Sequence, residues 1–132
     1  MDELSREECL EALTSAEVGR IAWCTPRGPV VVPVNIAVHD GRVWIRTTAD
    51  SEMVARVDAE RVAVQVDHVD VVRRAGWSVL AHGVAAVHFD PAGPDSPVPW
   101  PPGPRPAEVV VTIGEVSGRR LSPGDGGTKS LG

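Results

Sequence analysis

Residues 29–51 read PVVVPVNIAVHDGRVWIRTTADS, and the period of their apolar residues decides the fold. Val30, Val32, Val34, Ile36 and Val38 hold the even positions, whereas Pro33, Asn35 and His39 fall among the odd ones. Successive side chains of a strand point to opposite faces, so this spacing predicts a strand with one face buried. Asp40 and Gly41 then supply the positive φ angles that a two-residue hairpin turn requires. A second strand is expected over residues 42–48, with Val43 and Ile45 on one face and Trp44 and Arg46 on the other. Two threonines, an Asp-Ser pair and the helical spacing of Met53, Val54 and Val57 come next. A cationic strand end thus feeds a helix N-terminus, where free N–H groups favour an anion.

On the N-terminal side of this hairpin, Ser5 and Glu8 have the spacing of a capping box, so a helix should begin there. Its apolar face would be Cys9, Leu10, Leu13 and Ala16, with Gly19 just past its end. Residues 18–25 alternate as a first strand, closed by a turn over residues 26–29. On the C-terminal side, residues 61–68 form a strand with Val62, Val64 and Val66 on one face, and residues 67–75 a polar connection. Residues 77–89 suit one long strand, with a bend, bulge or close backbone approach at Gly83. Residues 91–106, PAGPDSPVPWPPGPRP, exclude helix and central strand because proline removes donors and fixes φ, so an extended surface segment is expected. A last strand over residues 108–116 follows, and residues 122–132 read as a flexible tail behind a single domain of residues 1–121. About six strands with two short helices point to an antiparallel barrel or sandwich, and closure into a barrel removes exposed Val-rich edges.

Composition narrows the function. The 132-residue chain has 42% apolar residues, four Trp, one Phe and no Tyr, with a formal charge of −5 and no run of Lys or Arg. A phosphate-tracking nucleic-acid surface is therefore not expected. No apolar run reaches a membrane span and the start, MDELSREE, is acidic, so the expectation is a cytoplasmic protein. Cys9 and Cys24 are too few for a disulfide framework, and both are read as core thiols. His39, His68, His82 and His88 lack the spacing of a helix metal site, although His82 and His88 share a strand face and one could ligate a haem iron. Surface or groove-lining histidine is the preferred reading. No nucleophile elbow, P-loop or dinucleotide fingerprint occurs.

In order and spacing, the segments LSREECL, VGRIAW, PVVVPVNIAV, IRTTADS, GWSVLAHGVA and VTIGEVSGRRL resemble the pyridoxamine 5′-phosphate oxidase-like group of FMN-binding split barrels, in particular its short actinobacterial members. That resemblance implies a six-stranded antiparallel split β-barrel with an N-terminal helix and one short helix. It also implies a homodimer with the flavin in a groove between subunits. By the same resemblance Arg46, Thr47, Thr48 and Ser51 meet the flavin phosphate, Pro33, Val34 and Asn35 lie along the ring, and Trp77 and Ser78 close the groove from the partner chain. The implied activity is FMN-dependent redox chemistry on a small-molecule substrate. The cofactor would bring the reactivity, which agrees with the lack of a recognisable acid, base or nucleophile.

The sequence departs from the family at one turn, where relatives carry a Gly-Ser-Lys type and this chain has Asp50, Ser51 and Glu52. Two carboxylates there repel a phosphate, and the competing reading is that Asp50 or Ser51 simply caps the short helix. Trp100 and Arg105 either border the ligand or, for Trp100, anchor the proline segment on the barrel. A deazaflavin (F420) reductase, a haem- or flavin-binding protein without turnover, and a cofactor-free dimeric module remain as alternatives.

Overall fold

In the computed structural model, residues 2–48, 51–89, 93, 95–100 and 103–123 are described. The elements are β1 (Asp2–Glu3), α1 (Arg6–Ser15), β2 (Val18–Thr25), β3 (Gly28–His39), β4 (Arg42–Thr47), α2 (Glu52–Val57), β5 (Arg61–Asp70), β6 (Ala75–His88) and β7 (Ala107–Leu121). All strand pairs are antiparallel, and the order β7-β4-β3-β2-β5-β6 returns to β7, closing a six-stranded barrel. β1 lies outside the ring and pairs with the far end of β7, where Asp2 faces Arg120 and Glu3 faces Arg119. Opposite charges directly across a ladder favour that register.

The alternation in the sequence sets the two faces. Ile36 and Val38 of β3, Val43 and Ile45 of β4, Val62, Val64 and Val66 of β5 and Val109 and Val111 of β7 share one core cluster. α1 adds Cys9 and Leu13 to it, and α2 adds Met53 and Val57. Ser5 caps α1 as the sequence predicts, with its hydroxyl accepting from the Glu8 N–H while Glu8 accepts from the Ser5 N–H. Asp40 and Gly41 take φ of 54° and 71°, as the hairpin turn requires. At Gly83 the β6–β7 register shifts, and a Cβ there would collide with the Thr112 carbonyl oxygen. Glycine permits this close approach.

Four expectations are corrected. α1 stops at Ser15 with Ala16 as its C-cap, so Gly19 is not a helix terminator. It lies in β2, where a Cβ would sit 3.0 Å from the Gln65 carbonyl oxygen. β5 and β6 run on to Asp70 and from Ala75, because their ladder continues to that pair and leaves only a four-residue turn, residues 71–74. β7 extends to Leu121 rather than ending near residue 116, since its far half pairs with the start of β6. Cys24 is exposed, as the alternation that buries Trp23 turns the next side chain outward. Cys9 is buried, and burial, followed by the Glu8 charge, pushes its thiol up. No helix among the described residues is long and apolar enough to cross a membrane. Asp50 and residues 124–132, most of the expected tail, lie outside the described residues.

Candidate functional site

The barrel is split along β3. Residues 28–35 pair with β2, but the pairing with β4 covers only Ile36 to His39. Beyond Thr47 the chain leaves the barrel wall for α2, so among the described residues no strand covers the other edge of residues 28–35. A cleft of about 340 Å³ lies at this opening. Val30, Val32, Pro33, Val34 and Asn35 line it from β3, Arg46 and Thr47 from the end of β4, and Ser51, Glu52 and Met53 from the start of α2. Trp23 of β2 completes the barrel side, and Pro99 and Arg105 face it from the proline-rich segment. Two larger grooves, of 720 and 730 Å³, lie against α1 and across β5, β6 and β7. The first is one face of a helix, and neither gathers residues of β3 and β4.

Of the expected cofactor residues, Pro33, Val34, Asn35, Arg46, Thr47 and Ser51 therefore meet in one cleft. Thr48 is next to it without lining it, and its carbonyl accepts from the Ser51 N–H at 3.2 Å. Trp77 and Ser78 are elsewhere in the same chain. As neighbours in an extended strand they point to opposite faces: Trp77 borders a groove with Glu8, Glu11 and Arg120, and Ser78 receives a hydrogen bond from Gln65 at 3.1 Å. His82 and His88 do not line the cleft either. Among the described residues no three His, Cys, Asp or Glu side chains group as a metal site.

Three polar side chains of the cleft, Ser51, Arg46 and Asn35, are engaged in holding the protein together. Ser51 caps α2, its hydroxyl accepting from the Val54 N–H at 3.2 Å. Arg46 is buried, with a side chain only 2% exposed, and its Nε lies 3.7 Å from Oε2 of Glu108, itself buried. The two are direct partners across the β4–β7 ladder. Arg46 Nη1 also donates to the Pro106 carbonyl at 3.4 Å. Glu108 accepts from the Ser96 hydroxyl, so both members of the pair reach the proline-rich segment.

The described part of that segment, residues 95–100 and 103–106, forms a strap. The Trp100 N–H donates to Asn35 Oδ1 at 2.9 Å, and His39 Nε2 lies 3.1 Å from the Asp95 carbonyl oxygen and 3.5 Å from its carboxylate. Trp100 as a residue is 70% exposed, which corrects the reading of its indole as an anchor: the backbone N–H is what is tied down. Trp23, Glu108 and Pro99 were not indicated by the sequence. Glu108 stands next to a run of three valines, a signal of a buried carboxylate in need of a partner, but Arg46 becomes that partner only once the β4–β7 register is known.

The comparisons agree with this architecture. A FAD binding protein from Mycobacterium smegmatis superimposes with a TM-score of 0.75 at 27% identity, covering 92% of this chain and 99% of that one. A FAD-binding protein from Mesorhizobium loti does so with a TM-score of 0.72 at 29% identity, covering 92% and 98%. The uncharacterized protein Rv0080 of Mycobacterium tuberculosis is 39% identical over 94 residues, which is 67% of this chain. The match spans 62% of that relative's length, under two thirds of it. The family model for pyridoxamine 5′-phosphate oxidase matches residues 5–120, from the α1 cap almost to the end of β7, and the chain belongs to that family of flavin-binding split barrels.

Proposed function

We propose that the chain binds a flavin nucleotide, FMN in the first instance, at the β3 cleft and uses it for redox chemistry on a small organic molecule. The observation that carries this reading is the convergence of Pro33, Val34, Asn35, Arg46, Thr47 and Ser51 on one opening in the barrel wall. The residues present fit such a group. Pro33, Val34, Trp23 and Met53 offer an apolar wall for a planar ring, and Thr47 and Arg105 offer donors. Trp23 is buried, so its ring is a fixed part of that wall. The FAD-binding relatives from two genera support the same cofactor class.

When bound, the flavin supplies hydride or electron transfer, and the protein supplies orientation and exclusion of water. Pro33 and Val34 would hold the ring from the β3 side, while Asn35 ties down the strap through the Trp100 N–H. The working form in this reading is a homodimer whose partner covers the open side of the cleft with its Trp77 and Ser78 region. Exposed Val31 and Val18 support a covered surface here, because Val31 lies between two cleft residues and Val18 pairs with Asn35.

Absorbance spectra of purified protein, after incubation with FMN or FAD and desalting, test the reading. Flavin bands that co-elute with a dimer are expected. A Soret band would replace flavin by haem, and a spectrum of tryptophan alone after both additions would overturn the proposal.

A further inference from the structure

We infer that Arg105, on the strap, is the cation that meets the ligand's phosphate, and that Arg46 is a positioning residue which holds the strap root beneath it. This rests on the flavin reading above and changes where the charge of that ligand is recognised. The cleft contains two arginines in very different states. Arg46 is buried and faces the Glu108 carboxylate across the ladder, so the field of its guanidinium is offset by a carboxylate at close range. A phosphate added there would compete with Glu108 instead of filling an open position. Arg105 is half-buried, and among the described residues its guanidinium meets no carboxylate; Nη1 donates only to the carbonyl of the adjacent Pro104, at 3.2 Å. It can turn its remaining donors to a phosphate as a fork.

The backbone around Arg105 is stiff for the same purpose. Pro104 fixes φ before it, and Pro106 restricts Arg105 itself to extended conformations. The strap is tied on both sides, at Trp100 by Asn35 and at the Pro106 carbonyl by Arg46 Nη1. Arg46 thus acts one residue away from the proposed phosphate ligand. A pre-set cation loses little freedom on binding. Arg105 also answers the acidic turn, since Glu52 lines the same cleft and repels a phosphate unless a mobile or adjacent cation offsets it.

Titrating FMN and riboflavin, the same ring system without its phosphate, into the full chain tests the assignment by flavin fluorescence. The wild type should prefer FMN by ~10- to 100-fold, the range of one charge-assisted interaction. Arg105→Gln should bring FMN down to the riboflavin affinity and leave riboflavin unchanged. Arg46→Lys, which keeps a charge opposite Glu108 and a donor for Pro106, should retain the FMN preference. Retention of the preference in Arg105→Gln overturns the assignment of Arg105, and its loss in Arg46→Lys overturns the positioning role of Arg46, with flavin binding intact in either case. Failure of the wild type to bind either compound overturns the flavin reading itself.

Discussion

The two flanks of the barrel solve the same problem differently. Along β6 and β7 the ladder runs nearly unbroken from one end of the strands to the other, so the main-chain donors and acceptors satisfy each other. Along β3 and β4 the ladder stops at Ile36, and the opening is spanned by side chains: Asn35 and His39 hold the strap from β3, Arg46 from β4, and Glu108 from β7. The continuous flank provides stiffness, and the interrupted one leaves a cleft. A side-chain arrangement can be altered at single residues, whereas a ladder cannot.

Breaking the interrupted flank at its centre should have the largest effect. Arg46→Ala leaves the Glu108 carboxylate buried without its ladder partner, and should cost about 3–5 kcal/mol in urea unfolding. Replacing both residues by apolar ones of similar size should restore most of that loss. The continuous flank can be broken at Gly83, where an added methyl meets the Thr112 carbonyl oxygen; Gly83→Ala should cost about 1–3 kcal/mol and shift the β6–β7 amides in an NMR spectrum. The smallest effect sharpens the contrast. Asn35→Ala removes the acceptor for the Trp100 N–H, should cost about 1 kcal/mol, and should speed proteolysis within the strap while amide exchange of β6 and β7 stays unchanged.

The hairpin of residues 29–51 was legible in the sequence because its signals are local: alternation of valines on β3 and an Asp-Gly turn at residues 40 and 41. The Ser5 cap and the glycine in the long strand belong to the same class. Where β5 and β7 end was not legible, since each strand continues only as long as a partner is present, and the partners of β7 are far away in sequence. The same holds for the site. Pro33, Val34, Asn35, Thr47 and Ser51, singled out by the family resemblance, line one cleft, whereas the state of Arg46 depends on a cross-strand neighbour that no local pattern reveals. The outward turn of Cys24 was available from alternation alone, with Trp23 as the inward residue.

The distribution of the tryptophans gives the molecule its own optical probe. Trp23 is 5% exposed and forms one side of the cleft, whereas Trp100 stands in solvent on the strap. A buried indole emits toward the blue and an exposed one toward the red, so Trp23 and Trp100 have separable colours. A ring that enters the cleft should quench the blue component first and leave the red edge of the emission as an internal reference.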